Sequence, residues 1–137
     1  MAIIEQLIRL EANNTISFGN YLETTKQKVL NFEATGDLYK IKTYNEITRL
    51  EKNGSLLFEA VPGCTVHNLA LSETRMSFDI EGFDHTQITI ELEDSTEYKI
   101  IVDDVTIDKL KTNLSGKINF SLGLNQTSKL VIIEKLG

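Results

Sequence analysis

Strict alternation of apolar and polar residues dominates the C-terminal half of the chain. In Arg75-Met76-Ser77-Phe78-Asp79-Ile80-Glu81 the apolar positions are 76, 78 and 80. They are 88, 90 and 92 in Gln87-Ile88-Thr89-Ile90-Glu91-Leu92-Glu93, and 118, 120 and 122 in Lys117-Ile118-Asn119-Phe120-Ser121-Leu122. A period of two puts these side chains on one face of a strand and the polar ones on the other. Residues 65–71, 98–102, 105–111 and 129–134 read as further strands. The parity slip between Ile107 and Leu110 predicts a bulge near Asp108. Polar and Gly-containing stretches at 72–74, 82–85, 94–96, 103–104, 113–116 and 123–128 supply the turns. Seven short strands at this spacing predict an antiparallel β-sandwich over 64–137.

The first half is also β in character but less regular. Residues 11–15 read as a turn between Leu7–Leu10 and Ile16–Phe18, and Gly36-Asp37 separates Val29–Glu33 from Leu38–Lys42. Asn53-Gly54 is the strongest turn signal in the chain. With Ile47–Leu50 and Leu56–Glu59 on its flanks it predicts a type I′ hairpin. Val61-Pro62-Gly63 holds the only proline and marks a boundary between a hairpin-rich region, 1–62, and the sandwich, 64–137. Residues 2–10 are read as strand, although Ile3, Ile4, Leu7 and Ile8 also suit a helical period.

Composition narrows the functional classes. A chain of 137 residues with 41% hydrophobic and 25% charged residues can bury a core and is not disordered. A net charge of -6 with only 14 Lys and Arg argues against a nucleic-acid partner. No run approaches the roughly 18 apolar residues of a membrane span, so no membrane partner is expected. The N-terminus lacks a basic segment, and Glu5, Arg9 and Glu11 interrupt its apolar run. With no export signal of its own, the expected location is cytoplasmic. Four sequons, at Asn13, Asn53, Asn113 and Asn125, carry little weight in a chain so rich in Asn and Thr.

Candidate chemistry is sparse. Cys64, the single cysteine, excludes an internal disulfide and a cysteine-based zinc site, and it reads as a small buried thiol. His67 lies three residues on; along an extended chain the two side chains point to opposite faces, so they do not make a nucleophile–base pair. His85 is 18 residues further, with no ligand spacing between the two histidines. Glu91 and Glu93 fall on a polar strand face, and Asp103-Asp104 on a tight turn. Glu93/Asp94 and Glu81/Asp84 are further carboxylate pairs, none with the cleft setting that glycoside hydrolysis requires. No nucleophile elbow, phosphate loop or zinc-protease motif occurs. Tyr21, Tyr44 and Phe83, near turns, are the aromatics that stand outside the predicted core. The expectation is therefore no catalytic residue, no metal site, no cofactor and no assigned ligand residue.

Two stretches carry resemblances. Ser17-Phe18-Gly19-Asn20-Tyr21, with Gly36-Asp37-Leu38-Tyr39-Lys40-Ile41-Lys42-Thr43-Tyr44-Asn45 running on to Asn53-Gly54, resembles a family of small clostridial-type bacterial proteins often labelled "endosialidase". That label implies sialidase chemistry, with an arginine triad and S-x-D-x-G-x-T-W boxes. This chain has no such box and no Trp, and its arginines, Arg9, Arg49 and Arg75, fall on three separate strands. Tyr98 to Asp104, with Gly116 to Ser121, is similar to the last hairpins of Ig-like sandwich modules of bacterial carbohydrate-active enzymes, which usually read V-D-G where Asp104 stands here. The reading is an all-β protein: an Ig-like antiparallel β-sandwich with an N-terminal β-hairpin region. Its expected role is a non-enzymatic structural or interaction module that assembles with itself through its N-terminal strands. Apolar residues such as Ile8, Ile16, Phe18, Ile41, Leu50, Leu57 and Phe58 are the surplus that drives this assembly. The alternative is a carbohydrate-binding accessory module with a glycan as partner.

Overall fold

The computed structural model describes residues 3–125 and 127–136. These residues form thirteen strands and no helix. The strands are β1 (Ile8–Leu10), β2 (Ile16–Phe18), β3 (Gln27–Ala34), β4 (Asp37–Thr43), β5 (Thr48–Lys52), β6 (Ser55–Val61) and β7 (Cys64–Leu71). Then follow β8 (Arg75–Gly82), β9 (His85–Glu91), β10 (Glu97–Val102), β11 (Val105–Lys111), β12 (Lys117–Gly123) and β13 (Lys129–Lys135). One sheet has seven strands in the order β1-β2-β7-β8-β13-β10-β11; the other has six, β12-β9-β6-β5-β4-β3. All pairings are antiparallel, and the sheets pack face to face as the expected all-β sandwich.

The alternation read from the sequence is the alternation of burial. Met76, Phe78 and Ile80 on β8, Ile88 and Ile90 on β9, and Ile118, Phe120 and Leu122 on β12 all face the core. Phe58 on β6 stacks edge-on against Phe18 on β2 (5.4 Å between ring centres) and Phe78 on β8 (5.5 Å), tying the two sheets together at their centre.

The division at 61–63 is a corner of one sandwich. Of the seven strands after it, five (β7, β8, β10, β11, β13) belong to one sheet and only two (β9, β12) to the other. Two strands are too narrow to cover five, so β3–β6 complete the second sheet, with Phe58 opposite Ile90 where β6 pairs with β9. The expectation of a sandwich confined to 64–137 is corrected accordingly. The N-terminal surplus is buried in the same core: Phe18, Ile41, Leu50 and Phe58 are 0% exposed. Gly63 has no Cβ for a reason, since one would collide with the Tyr44 carbonyl.

The N-terminal segment departs from the strand expected over 2–10. Residue 2 lies outside the described residues, and Ile4 accepts a hydrogen bond from the Leu7 N–H (2.9 Å) in a turn. Leu7 takes a left-handed φ of 72°, so the strand begins only at Ile8. Elsewhere the turn chemistry holds. Asn53 and Gly54 have φ of 51° and 84°, as a type I′ hairpin requires. The bulge expected near Asp108 lies at Ile107, where Ile100 faces Asp108 and Ile101 faces Thr106.

Candidate functional site

The groups with candidate chemistry are dispersed and already engaged. Cys64 is fully buried and its thiol is pushed far above the ordinary range by desolvation. His67 lies on the outer face of the seven-stranded sheet with Nε2 3.3 Å from Glu81 Oε1. His85 opens β9 in the other sheet. Beside His67 in the sheet, Ser17 is buried, donates its hydroxyl to Glu11 (2.5 Å) and accepts the Asn68 N–H (3.1 Å). The Ser17 hydrogen bond, and next the one from Arg9, hold the Glu11 carboxyl below the usual range.

The carboxylate pairs are split in the same way. Glu91 faces Lys117 (3.6 Å) and Glu93 faces Lys135 (2.9 Å). Asp103 accepts the Leu130 N–H (2.9 Å) and lies 3.8 Å from Lys129. The Asp84 carbonyl accepts the N–H groups of Leu124 and Asn125. Arg9, Arg49 and Arg75 do not converge: each pairs with its own carboxylates, and Arg49 is in the opposite sheet. Among the described residues no group of three His, Cys, Asp or Glu is placed to hold a metal ion. Tyr21 and Phe83 meet edge-on at 5.1 Å, with Tyr21 buried and Phe83 38% exposed, whereas Tyr44 bonds Glu46 (3.3 Å).

The outer face of the six-stranded sheet is different. Register places Lys28, Lys42, Arg49, Glu59, Thr89 and Asn119 in one line across β3, β4, β5, β6, β9 and β12. Directly opposed side chains share a face and lie close, so Lys28 and Lys42 repel. Lys40 projects from the same face of β4 as Lys42. Eight of the chain's cations (Arg9, Arg49, Lys52, Arg75, Lys99, Lys117, Lys129 and Lys135) lie 2.5–3.9 Å from a carboxylate oxygen. Among the described residues Lys26, Lys28, Lys40, Lys42, Lys109 and Lys111 have no carboxylate oxygen that close, although Glu51 stands opposite Lys40 in register.

Arg49 bridges two of the carboxylates of this face, one positive charge against two negative ones. It donates to Glu51 (3.2 Å) and Glu59 (2.5 Å); burial lowers its pKa, but the two carboxylates outweigh that and hold it above its ordinary value. Lys28, Lys40, Lys42, Arg49 and Glu51 line a cleft of about 50 Å³. Next to it, sharing Lys40 and Glu51, is a groove of about 370 Å³ that includes exposed Leu30 and Leu38. The sequence reading missed this surface. Its signal was the period-two lysines Lys26/Lys28 and Lys40/Lys42, which alternate with core residues only on β4.

No family model, curated protein or solved structure matches the chain.

Proposed function

We propose that the protein is a non-enzymatic interaction module that works through the outer face of its N-terminal strands β3–β5. The observation that carries this is the set of three lysines, Lys28, Lys40 and Lys42, that make no ion pair among the described residues and share one face, with Glu51 opposite Lys40, on a chain of net charge -6. Edge protection accounts for part of the lysine distribution. Lys28 on edge strand β3 and Lys109 and Lys111 on edge strand β11 discourage strand pairing, and both edges also carry bulges. It does not account for Lys40 and Lys42, because β4 is paired on both sides. In the lining of the cleft four cations surround one carboxylate, an excess that fits an acidic partner.

The test is retention on a carboxymethyl matrix at pH 7 and low salt. Despite its net negative charge the chain binds, and Lys40→Gln/Lys42→Gln abolishes retention; passage of the unaltered chain straight through the column refutes the reading. Sialosides and aryl glycosides are not turned over.

Self-association through the N-terminal strands is a second reading. It is favoured by the placement of β1 and β3, each an open edge of its sheet, against each other on one side of the sandwich. Light scattering on the full chain at micromolar concentration decides it: an oligomer that dissociates on introducing Pro at Val29 supports it, and a monomer rejects it.

A further inference from the structure

We infer that the β3–β5 face is a receptor for an acidic polysaccharide, with the cleft between Lys28, Lys40, Lys42 and Arg49 taking an oxyanion group of the chain. The inference rests on the interaction-surface reading and commits it to a ligand class. The cleft of about 50 Å³ has room for one small charged group rather than a whole ring. Four cations and one acid line it; Glu51 lies 3.2 Å from Arg49 and opposite Lys40 in register, so the lining keeps an excess of positive charge. A small anion there relieves the repulsion between Lys28 and Lys42, which the fold otherwise carries as a cost.

What surrounds the cleft selects the polymer. Past Glu59, which Arg49 holds, the line that begins with the cations continues through Thr89 and Asn119, whose side chains hydrogen-bond to each other. Two residues further along the strands, Ser121 donates to Gln87 (2.6 Å). Each of these amides keeps its NH₂ for a hydroxyl oxygen of a ligand. Leu30 and Leu38, 58% and 48% exposed, offer an apolar patch for the C–H side of a ring next to the charge.

At roughly 4.8 Å between strands the line spans roughly 24 Å, the reach of an extended ligand rather than of a lone ion. An acidic peptide adding as a further strand is opposed by the β3 bulge at Leu30 and Asn31. Nucleic acid needs a broad basic face, which a chain of net charge -6 with 14 Lys and Arg does not supply.

The experiment compares four probes on the full chain at low ionic strength: polygalacturonate, neutral dextran, polyglutamate and a DNA duplex. Polygalacturonate binds and the other three do not, and binding fades as salt shortens the screening length. Lys40→Gln/Lys42→Gln weakens it by at least about tenfold. Lys109→Gln/Lys111→Gln, which changes the net charge equally but on β11, leaves it within about twofold. Both pairs are at the surface, and a melting temperature no lower than that of the unaltered chain verifies each fold. Equal binding of dextran, or equal loss in the β11 variant, overturns the site. Binding of polyglutamate or DNA in place of polygalacturonate overturns the glycan and leaves the interaction surface standing. Binding of no probe brings down both.

Discussion

At the scale of single residues, a buried hydroxyl relay fixes the end of the sandwich where the two sheets exchange chain. Thr48 Oγ1 lies 3.0 Å from the Cys64 carbonyl, 3.0 Å from the Cys64 amide nitrogen and 2.8 Å from Thr43 Oγ1. A hydroxyl has one proton, and a carbonyl only accepts. Thr48 therefore donates to the Cys64 carbonyl, and Thr43 must donate to Thr48 while it accepts the Asn20 N–H (3.0 Å). All the groups are buried, so a missing partner is not replaced by water. Thr48→Val leaves the Cys64 amide and the Thr43 hydroxyl unpaired and is expected to cost about 1–3 kcal/mol. Urea unfolding reads this directly, and an unchanged midpoint refutes the relay.

Glu11 makes a second prediction at this scale. Its folded-state pKa is lowered, first by Ser17 and then by Arg9, from the ordinary 4.5. A lowered folded value means that its contribution is present above pH 4.5 and is lost as pH falls through the folded pKa. Glu11→Gln should therefore lower stability at neutral pH and flatten its decline on the acid side. Parallel acid profiles for the two proteins contradict this.

At the scale of elements, three two-residue hairpins share one geometry. Thr35-Gly36, Asn53-Gly54 and Asp103-Asp104 each have positive φ at both positions: 50° and 87°, 51° and 84°, 48° and 69°. Such turns match the twist of the strands they join, and the second position suits glycine. Only the third lacks it. Asp103 earns its place through the bond from the Leu130 N–H, whereas among the described residues no hydrogen bond or ion pair holds Asp104. Asp104→Gly is expected to stabilise the protein by about 0.5–1 kcal/mol, with the gain visible as a higher melting temperature. Asn53-Gly54 was readable from two letters, because the residue pair and the turn type imply each other. Thr35-Gly36 was not, since a β-branched residue at positive φ contradicts its local preference and is held by the β3–β4 ladder around it. The turn was placed one residue late for that reason.

At the scale of the whole molecule, the two halves contribute to one core. Removing residues 1–63 takes away four of the six strands that cover the other sheet, together with Phe18 and Phe58 from the centre of the core. The fragment 64–137 is therefore expected not to fold alone. It should bind hydrophobic dyes and lack a cooperative thermal transition; a fragment that melts sharply restores the two-part organisation.

The sequence by itself determined the all-β class and the face of each regularly alternating strand, because a period of two is a local property of consecutive residues. It also settled the Asn53-Gly54 hairpin and the burial of Cys64. Only the tertiary structure decided which strands share a sheet, since pairing β6 with β9 and β2 with β7 joins segments far apart in the chain. That pairing turned an apparent apolar surplus into one core. It also brought Lys28, Lys40, Lys42 and Arg49, harmless surface residues when read one strand at a time, onto a single face: the sign of a side chain is local, but the charge beside it is set by register.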